Sequence, residues 1–306
     1  MTDKELSDMW KAEIEKGLQK VQELREKLKP VEFTSELWEK YTGAYGDVRE
    51  DVAFLFCPEE LVPDTDKLRR LDMEEKSNYE IIFDNLSQNL LHQLSLYDAT
   101  YLTMPYLILL LEQKRRENDF NWEMKIISLA GDMLTTDIPY YGGGNQAEMP
   151  EEVMESYRLS VELLKEMTKD FLDRNMDRLK EQESDWLQYF CTDILAILGD
   201  REAAFQILMG YWEQCPVTCP NCGYYDDDME ADGFHDKTQL EKIKPAESVI
   251  GKWDGKSYDD TYLWFSNLAH TLKIYEEWKV AYYYGTYTCP ECGSKGILME
   301  WMKKSE

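Results

Sequence analysis

Apolar residues recur every three or four positions along most of the chain, and the strict alternation of half-buried strands is nearly absent. Over residues 2–30, Leu6, Trp10, Ile14, Leu18, Val21, Leu24 and Leu28 trace one narrow stripe. Thr2 and Glu5 have capping-box spacing, and Pro30 ends the segment, so the pattern predicts a single helix. We read residues 1–30 as a capping helix laid on the first repeat of the fold; a partner-binding or dimerising helix is the alternative.

The helical period continues from residue 31 to 214. Residues 77–93 and 97–113 predict two amphipathic helices joined by the short Leu94-Ser95-Leu96 link. Residues 119–137 predict a third, and 150–175 a longer one that opens with Pro150, whose missing N–H costs nothing at the first helical position. Residues 185–198 and 201–214 predict a tight pair across Gly199 and Asp200. Helix pairs with short joints, recurring every 40 or so residues, predict an all-α fold, a HEAT-like helical-repeat solenoid. A compact helical bundle is the plainer alternative.

After residue 214 the texture changes. The word Thr-Cys-Pro-Asn-Cys-Gly at 218–223 returns as Thr-Cys-Pro-Glu-Cys-Gly at 288–293, with 66 residues between Cys222 and Cys289. Two thiolates at Cys-x-x-Cys spacing can grip one face of a tetrahedral metal. The glycine that follows can take the positive φ that turns backbone N–H groups toward sulfur. One such knuckle needs two more ligands, and the second copy supplies them. Cys219, Cys222, Cys289 and Cys292 are therefore expected to form one closed four-sulfur site, most simply structural zinc, one per chain. Iron is the less favoured metal, since paired knuckles of this kind also hold a single iron in rubredoxin-like sites. We expect residues 215–306 to be a small split zinc ribbon at the C-terminal end, enclosing a further helical unit at 257–278 and closing in a short hairpin. Cys215 reads as a bystander thiol, and Cys57 and Cys191 as core.

Residues 36–46, Glu-Leu-Trp-Glu-Lys-Tyr-Thr-Gly-Ala-Tyr-Gly, and 86–112, with His92-Gln93, Tyr97-Asp98-Ala99-Thr100 and Pro105, carry a recognisable order of words. In these the chain resembles a group of bacterial HEAT-repeat proteins whose later helical pairs end in similar cysteine knuckles. Residues 46–76 depart from that pattern. The resemblance implies a repeat scaffold and no reaction.

Charge narrows the function. With 61 acidic and 34 basic residues the formal net charge is −27, while 43% hydrophobic and 13% aromatic content belong to a folded protein. Such a field repels nucleic acid and anionic membranes and suits basic partners. The first knuckle runs directly into Tyr-Tyr-Asp-Asp-Asp, and no Lys/Arg stripe accompanies either copy, which disfavours a nucleic-acid-associated zinc ribbon. The N-terminus has no apolar signal region and the longest apolar run, near 101–111, is too short to cross a bilayer, so a cytoplasmic location is the default expectation.

Catalytic chemistry is not expected. His92 is read as a helix-end hydrogen-bonding residue, His235 as part of a solvated loop and His270 as core. The Gly142-Gly143-Gly144 stretch lacks the Lys-Ser/Thr of a phosphate loop, and 226–232 reads as an acidic surface loop without calcium-loop order. The expectation is a non-enzymatic scaffold for a protein partner, with an immunity or antitoxin-like role against a basic toxin as the alternative.

Overall fold

The computed structural model describes residues 20–56, 76–138, 148–211, 217–226, 229, 240–274 and 278–304. The chain is mostly helical, as its apolar period predicts, and folds as two compact units, residues 1–174 and 175–306. Among the described residues no helix is long and apolar enough to cross a membrane.

In the first unit, residues 20–27 form α1; Thr2 and Glu5 lie outside the described residues. Short helices α2 (Leu37–Lys40) and α3 (Arg49–Phe56) precede α4 (Asn78–Leu90), against which α3 packs. Trp38 is fully buried, with the rings of Phe33 and Tyr106 each centred 6.0 Å from its own. A reciprocal cap starts α4: Ser77 Oγ accepts from the Glu80 N–H at 3.3 Å, and the Ser77 N–H donates to Glu80 Oε2 at 3.1 Å.

The expected Leu-Ser-Leu link is instead a small antiparallel hairpin of β1 (Leu91–His92) and β2 (Ser95–Leu96), with Leu91 opposite Leu96 and His92 opposite Ser95. Gln93 and Leu94 make its turn in left-handed backbone, at φ 52° and 59°. Neither is the Asn or Gly that such turns favour, so turn chemistry in the sequence carries no sign of it.

Next come α5 (Ala99–Glu117) and α6 (Phe120–Thr136), packed together across a two-residue joint. Asn118 ends α5 in left-handed backbone, and Asp119 caps α6 by accepting from the Trp122 N–H at 3.3 Å. From Ala99 to Leu111, α5 is buried on almost every side, which is why its apolar run is so long. The long α7 (Glu151–Leu179) follows. A charge cluster joins it to both neighbours: Arg115 of α5 grips Asp170 of α7 with two bonds at 2.8 and 2.9 Å, and Arg174 bridges Asp170 to the buried Glu123 of α6. Burial opposes ionisation of Asp170, but the two guanidinium groups win and hold its carboxyl below the ordinary range.

In the second unit, α8 (Ser184–Leu198) and α9 (Arg201–Tyr211) pack together across Gly199 and Asp200, as the sequence predicts. Asp200 Oδ1 accepts from the Ala203 N–H at 3.0 Å to start α9. A Cβ on Gly199 would meet the Trp264 ring at 3.0 Å, so glycine there permits the close approach of α10 (Thr261–Leu272). The helix expected over 257–278 begins only at Thr261, because Asp260 caps it by accepting from the Leu263 N–H at 3.0 Å. It ends at Lys273 in left-handed backbone. His270, expected in the core, is exposed in the last turn of α10, where a basic group suits the helix C-terminus. Two-residue β3 (Ile243–Lys244), then α11 (Trp278–Tyr283), β4 (Thr286–Thr288), β5 (Lys295–Ile297) and α12 (Leu298–Met302) complete the unit. The strands form one antiparallel sheet in the order β3-β4-β5, with Tyr287 opposite both Ile243 and Gly296.

Candidate metal centre

The repeated word folds twice in the same way. In the first copy a hairpin pairs Thr218 with Tyr225; in the second, Thr288 pairs with Lys295 at the end of β4 and β5. Each turn is closed by the same two backbone bonds. Cys219 N–H donates to the Tyr224 carbonyl at 2.8 Å and Gly223 N–H to the Cys219 carbonyl at 2.9 Å. Cys289 and Gly293 repeat these with the carbonyls of Ser294 and Cys289, at 2.9 and 3.0 Å. The glycines close the turns at φ 74° and 72°, a region that side chains other than Asn and Gly avoid.

The two hairpins bring all four expected cysteines together. The Sγ atoms of Cys219, Cys222, Cys289 and Cys292 lie within 4.8 Å of one another and form a group that could hold a metal ion. Across the hairpins, Cys219 Sγ is 3.7 Å from Cys292 Sγ and Cys222 Sγ is 3.8 Å from Cys289 Sγ. A tetrahedron of sulfurs at the usual zinc–thiolate distance of about 2.3 Å has edges of about 3.8 Å. These separations fit ligation of one ion, and all four cysteines are free thiols.

The shell is asymmetric. Cys219 and Cys289, the first cysteine of each word, are buried at 1% exposure; Cys222 and Cys292, the second of each, are exposed. Groups around the outer sulfurs set their protonation. Ser294, through its hydroxyl and then its backbone, and the Asn221 amide at 3.6 Å stabilise the Cys292 thiolate, holding that group down at about 5. The Tyr224 backbone pulls Cys222 the same way, but desolvation and the three neighbouring sulfurs push its thiol up, to about 12. Crowded thiols cannot all ionise without a cation among them; a bound divalent ion would deprotonate the set.

The other residues singled out in the sequence fall elsewhere. Cys191 is buried in α8, and its apolar surroundings push its thiol up. Cys57, Cys215 and His235, and the glycine run at 142–144, lie outside the described residues. His92 sits in β1 and does not cap α4; its Nδ1 is 2.9 Å from the hydroxyl of the exposed Tyr45. Residues 226–232 are not wholly an acidic surface loop: Asp226 and Met229 are both 0% exposed. Asp226 bonds to Lys242 and Tyr287, and neither residue belongs to a sequence motif. One sign was available, since Val217 and Cys219 face inward along one arm of the hairpin and the period of two places Asp226 inward on the other. No known protein family, curated protein or solved structure matches the chain.

Proposed function

We propose that the chain is a non-enzymatic, acidic helical scaffold that binds a basic protein partner, and that its second unit is stiffened by a structural zinc ion on Cys219, Cys222, Cys289 and Cys292. In this reading the helix pairs are HEAT-like repeats, and the two hairpins with their short sheet are a split zinc ribbon. The observation that carries the proposal is the closed shell of four sulfurs within 4.8 Å, which leaves an ion no position for water or substrate. Zinc is favoured over iron because an all-thiolate tetrahedron suits it without redox chemistry. A partner of opposite charge is favoured by the net charge of −27.

Two measurements test this. Elemental analysis of the purified protein should find about one zinc per chain; iron in its place would overturn the structural-zinc reading, and no metal at all would remove the centre. Affinity capture from the native host should enrich basic proteins that salt releases. Enrichment of nucleic acid instead would overturn the scaffold.

A further inference from the structure

The cysteine pairs stand 66 residues apart in the chain, and the structure ties them together by bonds that use no sulfur. Asp226, four residues beyond Cys222, is 0% exposed. Lys242 Nζ lies 2.9 Å from each of its carboxylate oxygens, and the Tyr287 hydroxyl donates to Oδ2. The Met229 N–H donates to Oδ1 at 3.3 Å. Both side-chain partners are tied to the second knuckle, Tyr287 through the chain and Lys242 through a backbone bond. Tyr287 stands in β4, two residues before Cys289. The carbonyl of Lys242 accepts from the N–H of Thr288 at 3.0 Å, so this lysine holds the strand next to Cys289 with its backbone and the exit of the first knuckle with its side chain. On the first knuckle, the Asp226 N–H closes the hairpin by donating to the Val217 carbonyl at 3.0 Å.

A carboxylate removed from water is costly unless its oxygens are fully engaged, and here an ammonium, a phenol and a backbone N–H engage them. Charge-assisted bonds of this kind are roughly twice as strong as neutral ones, whereas thiols are weak donors and acceptors. The sulfur–sulfur contacts of 3.7 and 3.8 Å therefore contribute little to holding the hairpins face to face. We infer that Asp226, Lys242 and Tyr287 are positioning residues of the centre: a metal-independent latch that sets the two cysteine pairs at ligation distance before an ion arrives. The inference rests on the reading of the four cysteines as a metal centre. It makes the centre a preformed receptor for the ion, and the fold of the sheet does not wait for metal.

The test uses the full chain, stripped of metal with a chelator, as wild type, Asp226→Asn and Tyr287→Phe. Zinc affinity is read by competition with a chromophoric chelator, the ligand set by the absorption of cobalt(II) in place of zinc, and the sheet by hydrogen exchange at Tyr287 and Thr288. Stripped wild type should keep both amides protected. Asp226→Asn should bind zinc about 10-fold or more weakly, the range seen when groups supporting metal ligands are lost, with the four-thiolate cobalt spectrum retained. Tyr287→Phe should show a smaller loss in the same direction. Variants that bind as tightly as wild type, or stripped wild type that loses protection at both amides, would overturn the latch. If Asp226→Asn does not fold, Tyr287→Phe and the stripped wild type decide it. A wild type that binds neither zinc nor cobalt sinks the metal reading and the latch with it; undiminished zinc binding by the variants sinks the latch alone.

Discussion

Gly293 closes the second knuckle at φ 72° with no atom within 4 Å of where a Cβ would stand, so only backbone strain opposes a side chain there. Gly293→Ala should therefore cost about 1–2 kcal/mol, the penalty of a left-handed L-residue. Gly293→Asn should cost less, because Asn tolerates that conformation. Denaturant unfolding of the three proteins checks this, and equal stabilities for Ala and Gly would refute it. At this scale the four cysteines were legible in the sequence because one six-residue word occurs twice and each copy needs what the other supplies. Asp226 was not, because it opens a run of three aspartates that look alike in composition, and only the facing of the hairpin shows that it is buried. His270 misled for the opposite reason: it lies within an apolar stretch, yet occupies the outward face of the last turn of α10.

Helices α5, α6 and α7 are joined by Arg115, Asp170, Arg174 and Glu123. Because the folded state holds the Asp170 carboxyl below its ordinary value, its contribution to stability is complete above the unfolded carboxylate value of about 3.9 and is lost as pH falls through the depressed folded one. Stability measured from pH 6 downward should fall more steeply below about pH 4 for wild type than for Asp170→Asn, which starts less stable. Parallel curves would show that the cluster carries no such linkage. Helix pairs were legible because their apolar period is long and their joints short: Asn118 and Asp119, or Gly199 and Asp200. The hairpin at 91–96 was hidden by a turn built from Gln93 and Leu94, and the start of α10 by Tyr258, which extends the aromatic pattern of Tyr262, Trp264 and Phe265 back past the cap at Asp260.

For the whole molecule, the charge of −27 is the one property that acts beyond contact distance. Its reach shrinks to about 8 Å at physiological ionic strength and about 3 Å in 1 M salt, which is why a partner recruited by charge should leave the captured protein as salt rises. The division of the chain at residues 174 and 175 was not legible. It falls inside α7, where neither Gly nor Pro nor any shift in composition interrupts the helix.

The uneven cover over the sulfurs has a kinetic consequence. With Cys219 and Cys289 walled off and Cys222 and Cys292 facing solvent, a competing ligand can take hold of an ion in the centre from one side only. Metal exchange would then proceed in order, outer thiolates first and inner pair last, so the half of the centre deepest in the protein would govern how long an ion stays.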